Sequence, residues 1–199
     1  MEKPLKVAAW SGIISLIVSL VSLPFLFLGG DGVLSTVAAI FVTLIGGVLG
    51  AFFLYGFVVL GKRFKNTLLV VMAWIGIVFA ILSIFMGLIG NVVSLVQPVS
   101  AQDEISVDGL EDIDEAAVMM IMFFLIVWVL IAVVIGVYTI LFGVAILRLK
   151  DKVCYSKPAG ILNIVAGATY VIFVGFLVRL VAFIFEIMLM FNASEKFEK

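Results

Sequence analysis

The stretch "AAVMMIMFFLIVWVLIAVVIGVYTILFGVAIL", Ala116–Leu147, contains no Asp, Glu, Lys or Arg. Apolar and polar residues do not alternate along it, as they would over the roughly 9–11 residues of a membrane barrel strand. An uncharged run this long reads as a helix in lipid, because only a helix satisfies every backbone N–H and C=O within its own segment. The rest of the chain has the same character. Of its 199 residues, 65% are hydrophobic and 13% charged, against about 45–50% and about 25% in a soluble domain. A chain of this size cannot hide so much apolar surface in a core of its own, so lipid is its solvent.

Four further segments resemble the first. Together the five are Val7–Leu28, Leu34–Gly61, Leu68–Val96, Ala116–Leu147 and Ala159–Val178, the last continuing past Arg179 to Phe191. The expected architecture is all-α: a polytopic membrane helix bundle forming one domain over 1–199. Its five transmembrane helices fall at about 7–28, 34–61, 68–96, 116–147 and 159–191, with an acidic loop at 97–115. The first segment is longer than the roughly 7–15 residues of a signal-peptide core, which makes it a retained span with Pro24 near its end.

The connections set an orientation. Lys3 and Lys6, then Lys62, Arg63 and Lys65, then Arg148, Lys150, Lys152 and Lys157 occupy every second connection, with only Glu2 and Asp151 among them. Basic short loops stay cytoplasmic. With five spans, this puts the N-terminus in and the C-terminus out, in a multi-pass protein of the cell membrane.

Two segments share a pattern. "GAFFLYGFVVLGKRFKN" from Gly50 and "GVYTILFGVAILRLKDK" from Gly136 both run from glycine and an aromatic through a second glycine to a basic exit. One leading helix followed by two similar hairpins would produce this, as a parallel repeat. Convergence on the common end of an outside-to-inside helix would also produce it. Gly46 and Gly50 form a GxxxG, while Gly136 and Gly143 lie close to one face of the fourth span. Such small residues let helix backbones approach, within the chain or between two copies. The last three segments exceed the bilayer: at about 1.5 Å per residue the fourth would reach roughly 48 Å, against a hydrocarbon core of about 30 Å. Their excess is expected on the outer side.

Candidate chemistry is sparse. Asp103, Glu104, Asp108, Glu111, Asp112, Asp114 and Glu115 crowd the acidic loop, but Ile105 and Val107 fall where an EF-hand needs oxygen ligands. A solvated loop whose end starts the fourth helix accounts for the carboxylates. Cys154 is a single juxtamembrane thiol, and "NAS" at Asn192–Ser194 is a glycosylation sequon. The chain has no histidine, and so lacks the commonest metal ligand and neutral-pH proton shuttle. No phosphate loop, dinucleotide glycine pattern, metalloprotease motif or nucleophile–base pair is present. No cofactor is implied, and a net charge of −1 offers nucleic acid nothing.

The exception is "FLVRLVAFIFEIM", Phe176–Met188, which puts Arg179 and Glu186 inside an apolar run. An ionisable residue within a membrane segment points to a functional site. Read as one straight helix from Ala159, the segment reaches the outer boundary near Val178, about 30 Å along. Arg179 then sits at that boundary with Glu186 two turns beyond. Both side chains lean toward the helix N-terminus, so the arginine leans away from the glutamate. This reading pairs Arg179 with the acidic loop, at Asp114 or Glu115, as an outer-edge seam. Gly175, Arg179, Ala182 and Glu186 share one face, which would turn toward protein.

"PAGILNIVAGATYVIFVGFLVRLVAFIFEIMLMF" at 158–191, with the small pair Ala166–Gly167 and "VGFL" at 174–177, resembles the closing helix of a family of multispanning membrane proteins. That family is found mainly in archaea and some bacteria and is known only as a domain of unknown function. The hairpin "LYGFVVLGKRFKNTLLVVMAWIGIVFAIL" from Leu54 is similar to it as well. The resemblance implies a helical membrane protein and carries over no catalytic or ligand residue. Arg179, Glu186 and the long acidic loop depart from the family's pattern. The functional expectation is a non-enzymatic structural or accessory membrane protein acting by helix packing and partner contact. Its partners would be the lipid bilayer together with another membrane protein or a second copy. A small oligomeric transporter or channel is the alternative.

Overall fold

The computed structural model describes residues 3–28, 33–96, 115–172 and 174–196. Six α-helices account for nearly all of them: α1 (Lys3–Leu28), α2 (Val33–Arg63), α3 (Thr67–Val96), α4 (Glu115–Leu147), α5 (Ser156–Ala168) and α6 (Val174–Lys196). A 3-10 turn at Tyr170–Ile172 lies between the last two. Five helices are long and apolar enough to cross a membrane, namely α1 to α4 and α6. The chain is therefore an all-helical protein with five candidate spans.

The final segment differs from the sequence expectation. It is not one helix over 159–191 but two, with α5 ending at Ala168 and a 3-10 turn at Tyr170–Ile172 before α6, and the chain doubles back there. Three features make the break. Thr169 turns its hydroxyl onto the Val165 carbonyl at 2.7 Å, which is a local alternative to continuing the helix. The run Thr169–Ile172 consists of three β-branched residues and an aromatic, all weak helix formers. Gly175 then seats the returning strand of chain, donating its N–H to the Thr169 carbonyl at 3.0 Å. A Cβ at Gly175 would collide with the Ala166 carbonyl and would stand 2.5 Å from the Tyr170 nitrogen.

Contacts step down the hairpin in antiparallel order. Asn163 on α5 meets Glu186 on α6. Below it, the Cys154 N–H donates to Asn192 Oδ1 at 3.2 Å, and Lys196 Nζ donates to the Lys152 carbonyl at 2.6 Å. The end of α6 thus lies beside the α4–α5 loop. The start of α1 lies there too: Trp10 meets Phe191 edge-on with ring centroids 5.8 Å apart, and Leu5 and Ala9 share a cluster with Met190 and Ala193. The expectation of an N-terminus in and a C-terminus out separates these two ends across the membrane. The contacts bring them to one end of the bundle, because α5 is a half-length helix of 13 residues, about 20 Å long.

The core is confined to that same end. Phe53, Phe57, Leu69, Ala73, Phe142, Ile146, Ala159 and Leu189 are all buried there. Phe57 joins Phe53 at 5.4 Å and Phe142 at 5.0 Å, while Phe53 reaches Phe183 at 4.7 Å. These rings tie α2 to α4 and α6. The far halves of α2, α3 and α4 instead expose Phe41, Phe85, Met86 and the whole run Val118–Ile126. There α2 and α3 still meet, at Gly47 against Ile84 and Gly87 against Thr43, but in lipid no hydrophobic force draws the bare stretch of α4 onto them.

The two hairpins share a detail at their turns. Lys65 and Tyr155 are the two non-glycine residues with positive φ among the described residues, at 54° and 65°. Each ends a basic connection just before a returning helix. Asn66 then caps α3, its Oδ1 accepting the Leu69 N–H at 3.2 Å, as residues at that position do. Its amide donates to the Ala145 carbonyl at 2.8 Å, which fastens one hairpin to the other. The hairpins differ in their returns: α3 is full length and α5 stops halfway.

Candidate functional site

An ion pair lies within the bundle, between Arg179 and Glu186. Glu186 is 0% exposed, and its carboxylate is held by Arg179 from the same helix and by Asn163 from α5. Asn163 Nδ2 donates to Glu186 Oε1 at 2.7 Å and also to the Ala159 carbonyl at 2.8 Å. Its Oδ1 accepts from Arg179 Nη1. The second guanidinium nitrogen reaches Glu186 Oε2 at 3.5 Å. Each member of the triad therefore touches the other two.

The fourth helix closes the site. The Arg179 guanidinium lies over the Phe142 ring, 5.9 Å from its centroid, within cation–π range. Tyr138 stacks on Phe142 at 6.0 Å and donates its hydroxyl to the Met72 carbonyl of α3 at 3.2 Å. Depth follows from helix rise. Asn192 marks the polar end, so Glu186 lies about 9 Å inward and Arg179 about 20 Å. Their meeting point is well inside the apolar region. An unpaired charge there would be expensive, and among the described residues no buried side-chain nitrogen or oxygen lacks a partner. The result is a neutral, internally satisfied clamp that holds α5, α6 and α4 together.

This corrects two parts of the sequence reading. Arg179 and Glu186 pair with each other, although their side chains lean in the same direction. The long arginine reaches along its own helix to Glu186, since a buried carboxylate without a cation is costly. The site also lies within the bundle, not at an outer edge, because the hairpin turns the helix around. Asp114 lies outside the described residues. Glu115 begins α4, and its side chain lies outside what is described.

The glycines separate into two groups. Gly136 and Gly143 on α4 face Gly167 and Gly160 on α5. A Cβ at Gly136 would stand 2.7 Å from the Gly167 carbonyl oxygen, and one at Gly143 would stand 2.7 Å from that of Gly160. Backbone meets backbone along this seam, which seats α5 closely enough for Asn163 to reach the ion pair. Gly175 closes the hairpin, as described above. Gly46 and Gly50 have nothing within 4 Å of an added Cβ. Of the two alternatives for this GxxxG, packing within the chain or between copies, the close backbone approach within the chain is not seen among the described residues. Gly47, one step round, instead faces Ile84.

Asn163 and Tyr138 carry the site and were not singled out from sequence, while Gly160 and Gly167 entered only through the family resemblance, with no packing role. The seven-residue spacing of Gly160 and Gly167, equal to that of Gly136 and Gly143, was a usable signal. Asn163 and Tyr138 gave none without the hairpin. Cys154 is an exposed free thiol. Asn192 of the sequon is half-buried in α6 with its side chain engaged, at the basic end of the bundle. Compared with known proteins, the chain matches no family model, no curated protein and no solved structure.

Proposed function

We propose that this multi-pass membrane protein is a non-enzymatic structural or accessory subunit that works by presenting helices to a membrane partner. The observation that carries the reading is the outer half of α4. Every side chain from Val118 to Ile126 is exposed, so this stretch is bare on all sides and adds little to the fold. It displays Met119, Met120 and Met122 beside Phe123 and Phe124. Methionine and aromatic side chains are enriched where proteins meet, and methionine adapts readily to a partner's shape. A rigid packed end carrying an open apolar end suits a part that is completed by another protein.

On this reading the basic end faces the cytoplasm, following the rule for Lys and Arg in short loops. The resemblance of the C-terminal third to an uncharacterised multispanning family is part of the proposal and assigns no residue a role.

A photoreactive residue at Met119 or Phe123, activated in native membranes, tests the proposal. It is expected to join the chain to one defined protein, another species or a second copy, and a residue at Ile172 is not. Crosslinks to lipid alone from all three positions would contradict it.

The small oligomeric transporter or channel has a specific observation of its own. A broken span and an ion pair at membrane depth are features of transport sites. That reading predicts solute flux in proteoliposomes that is lost in Glu186→Gln. The accessory reading predicts no flux from either protein.

A further inference from the structure

The α2–α3 hairpin carries two features that neither the clamp nor the exposed α4 uses. The first is a charge excess. Lys62, Arg63 and Lys65 are exposed at its turn, and residues 33–96 contain no Asp or Glu. The neighbouring loop adds positive charge, since Lys152 Nζ sits over the Phe64 ring 5.7 Å from its centroid. The second feature is an apolar groove of about 370 Å³ on the same hairpin. It is lined by Phe52, Tyr55, Trp74, Ile77, Ile81 and Ile84, among others.

The two features are in register. Tyr55 and Trp74 each lie seven residues from the turn, about 10 Å below it. Such rings sit at the headgroup level of a bilayer. From Trp74 to Ile84 the groove continues for about 15 Å, half of a hydrocarbon core of about 30 Å and so the depth of one leaflet. A molecule with a negative head above the turn and one leaflet's length of hydrocarbon below it matches both.

We propose that an anionic phospholipid of the surrounding bilayer binds along this hairpin. Its headgroup phosphate rests on Lys62 and Lys65, and one acyl chain lies in the groove against Trp74. Attraction of roughly 1 kcal/mol per surface Lys or Arg corresponds to about a fivefold preference per cation.

Trp74 supplies the probe. With Trp10→Phe and Trp128→Phe it is the one remaining tryptophan. The protein is placed in phosphatidylcholine vesicles in which either phosphatidylglycerol or phosphatidylcholine carries brominated chains. Brominated phosphatidylglycerol is expected to quench Trp74 at a mole fraction at least about fivefold lower. Lys62→Gln with Lys65→Asn should bring the two lipids together, whereas Lys62→Arg should keep the preference. Equal quenching by both lipids in the parent protein would overturn the proposal, as would a preference unchanged in the double variant.

Discussion

Glu186, fully buried, and Arg179, 27% exposed, illustrate how an ion pair inside a bundle depends on both partners. Glu186→Gln leaves the arginine as an uncompensated cation, and Arg179→Met leaves a bare carboxylate. Either change is expected to destabilise the bundle by about 3–5 kcal/mol. Replacing both, as Arg179→Met with Glu186→Met, removes the charges together and should cost much less than the sum. Unfolding in mixed micelles by a denaturing detergent would measure all three. Additive losses would show that the pair is not coupled. The heptad spacing of the two charges was visible in the sequence, and so was their small-residue face with Gly175 and Ala182. Their partnership was not, because on an isolated straight helix the arginine side chain leans away from the glutamate. A buried carboxylate overrides that preference, and its third partner, Asn163, arrives only through the turn.

At the scale of elements, the α4–α5 seam is decided by backbone contact. Gly143→Leu drives a side chain into the Gly160 carbonyl, which cannot step aside. This should disrupt the hairpin and release α5, with a loss of several kcal/mol on the scale of severe overpacking. Gly46→Leu and Gly50→Leu point into open space and should change stability by less than about 1 kcal/mol. Thermal melting of the three variants in one detergent separates these outcomes, and equal losses would contradict the seam. The fold class was legible because long uncharged segments have a single solution in lipid, and α1 to α4 fall where composition puts them. Which glycines would meet was not. A GxxxG reports only that backbones can approach, and which helix faces them is decided by the rest of the bundle.

For the whole molecule, the final apolar segment changes the threading. Length and hydropathy of residues 159–191 describe one crossing. What divides it is local: the Thr169 hydroxyl on a helix carbonyl, the weak helix formers after it, and the room left at Gly175. One threonine and one glycine barely change the mean apolarity of so long a segment, which is why the break is silent in a composition-based reading. Its consequence is large. The end of α6 returns to the α4–α5 loop, so the start of α1, both basic connections and the end of α6 gather at one end. Cys154 and Glu195, both exposed at that end, report on this directly. Cys154 as it stands, and Glu195→Cys in a Cys154→Ser background, can each be treated with a membrane-impermeant maleimide in sealed vesicles of known orientation. The hairpin predicts that both thiols label from the same side, the cytoplasmic one on the reading above. Labelling of position 195 from the side opposite Cys154 would restore a single continuous span and contradict the account.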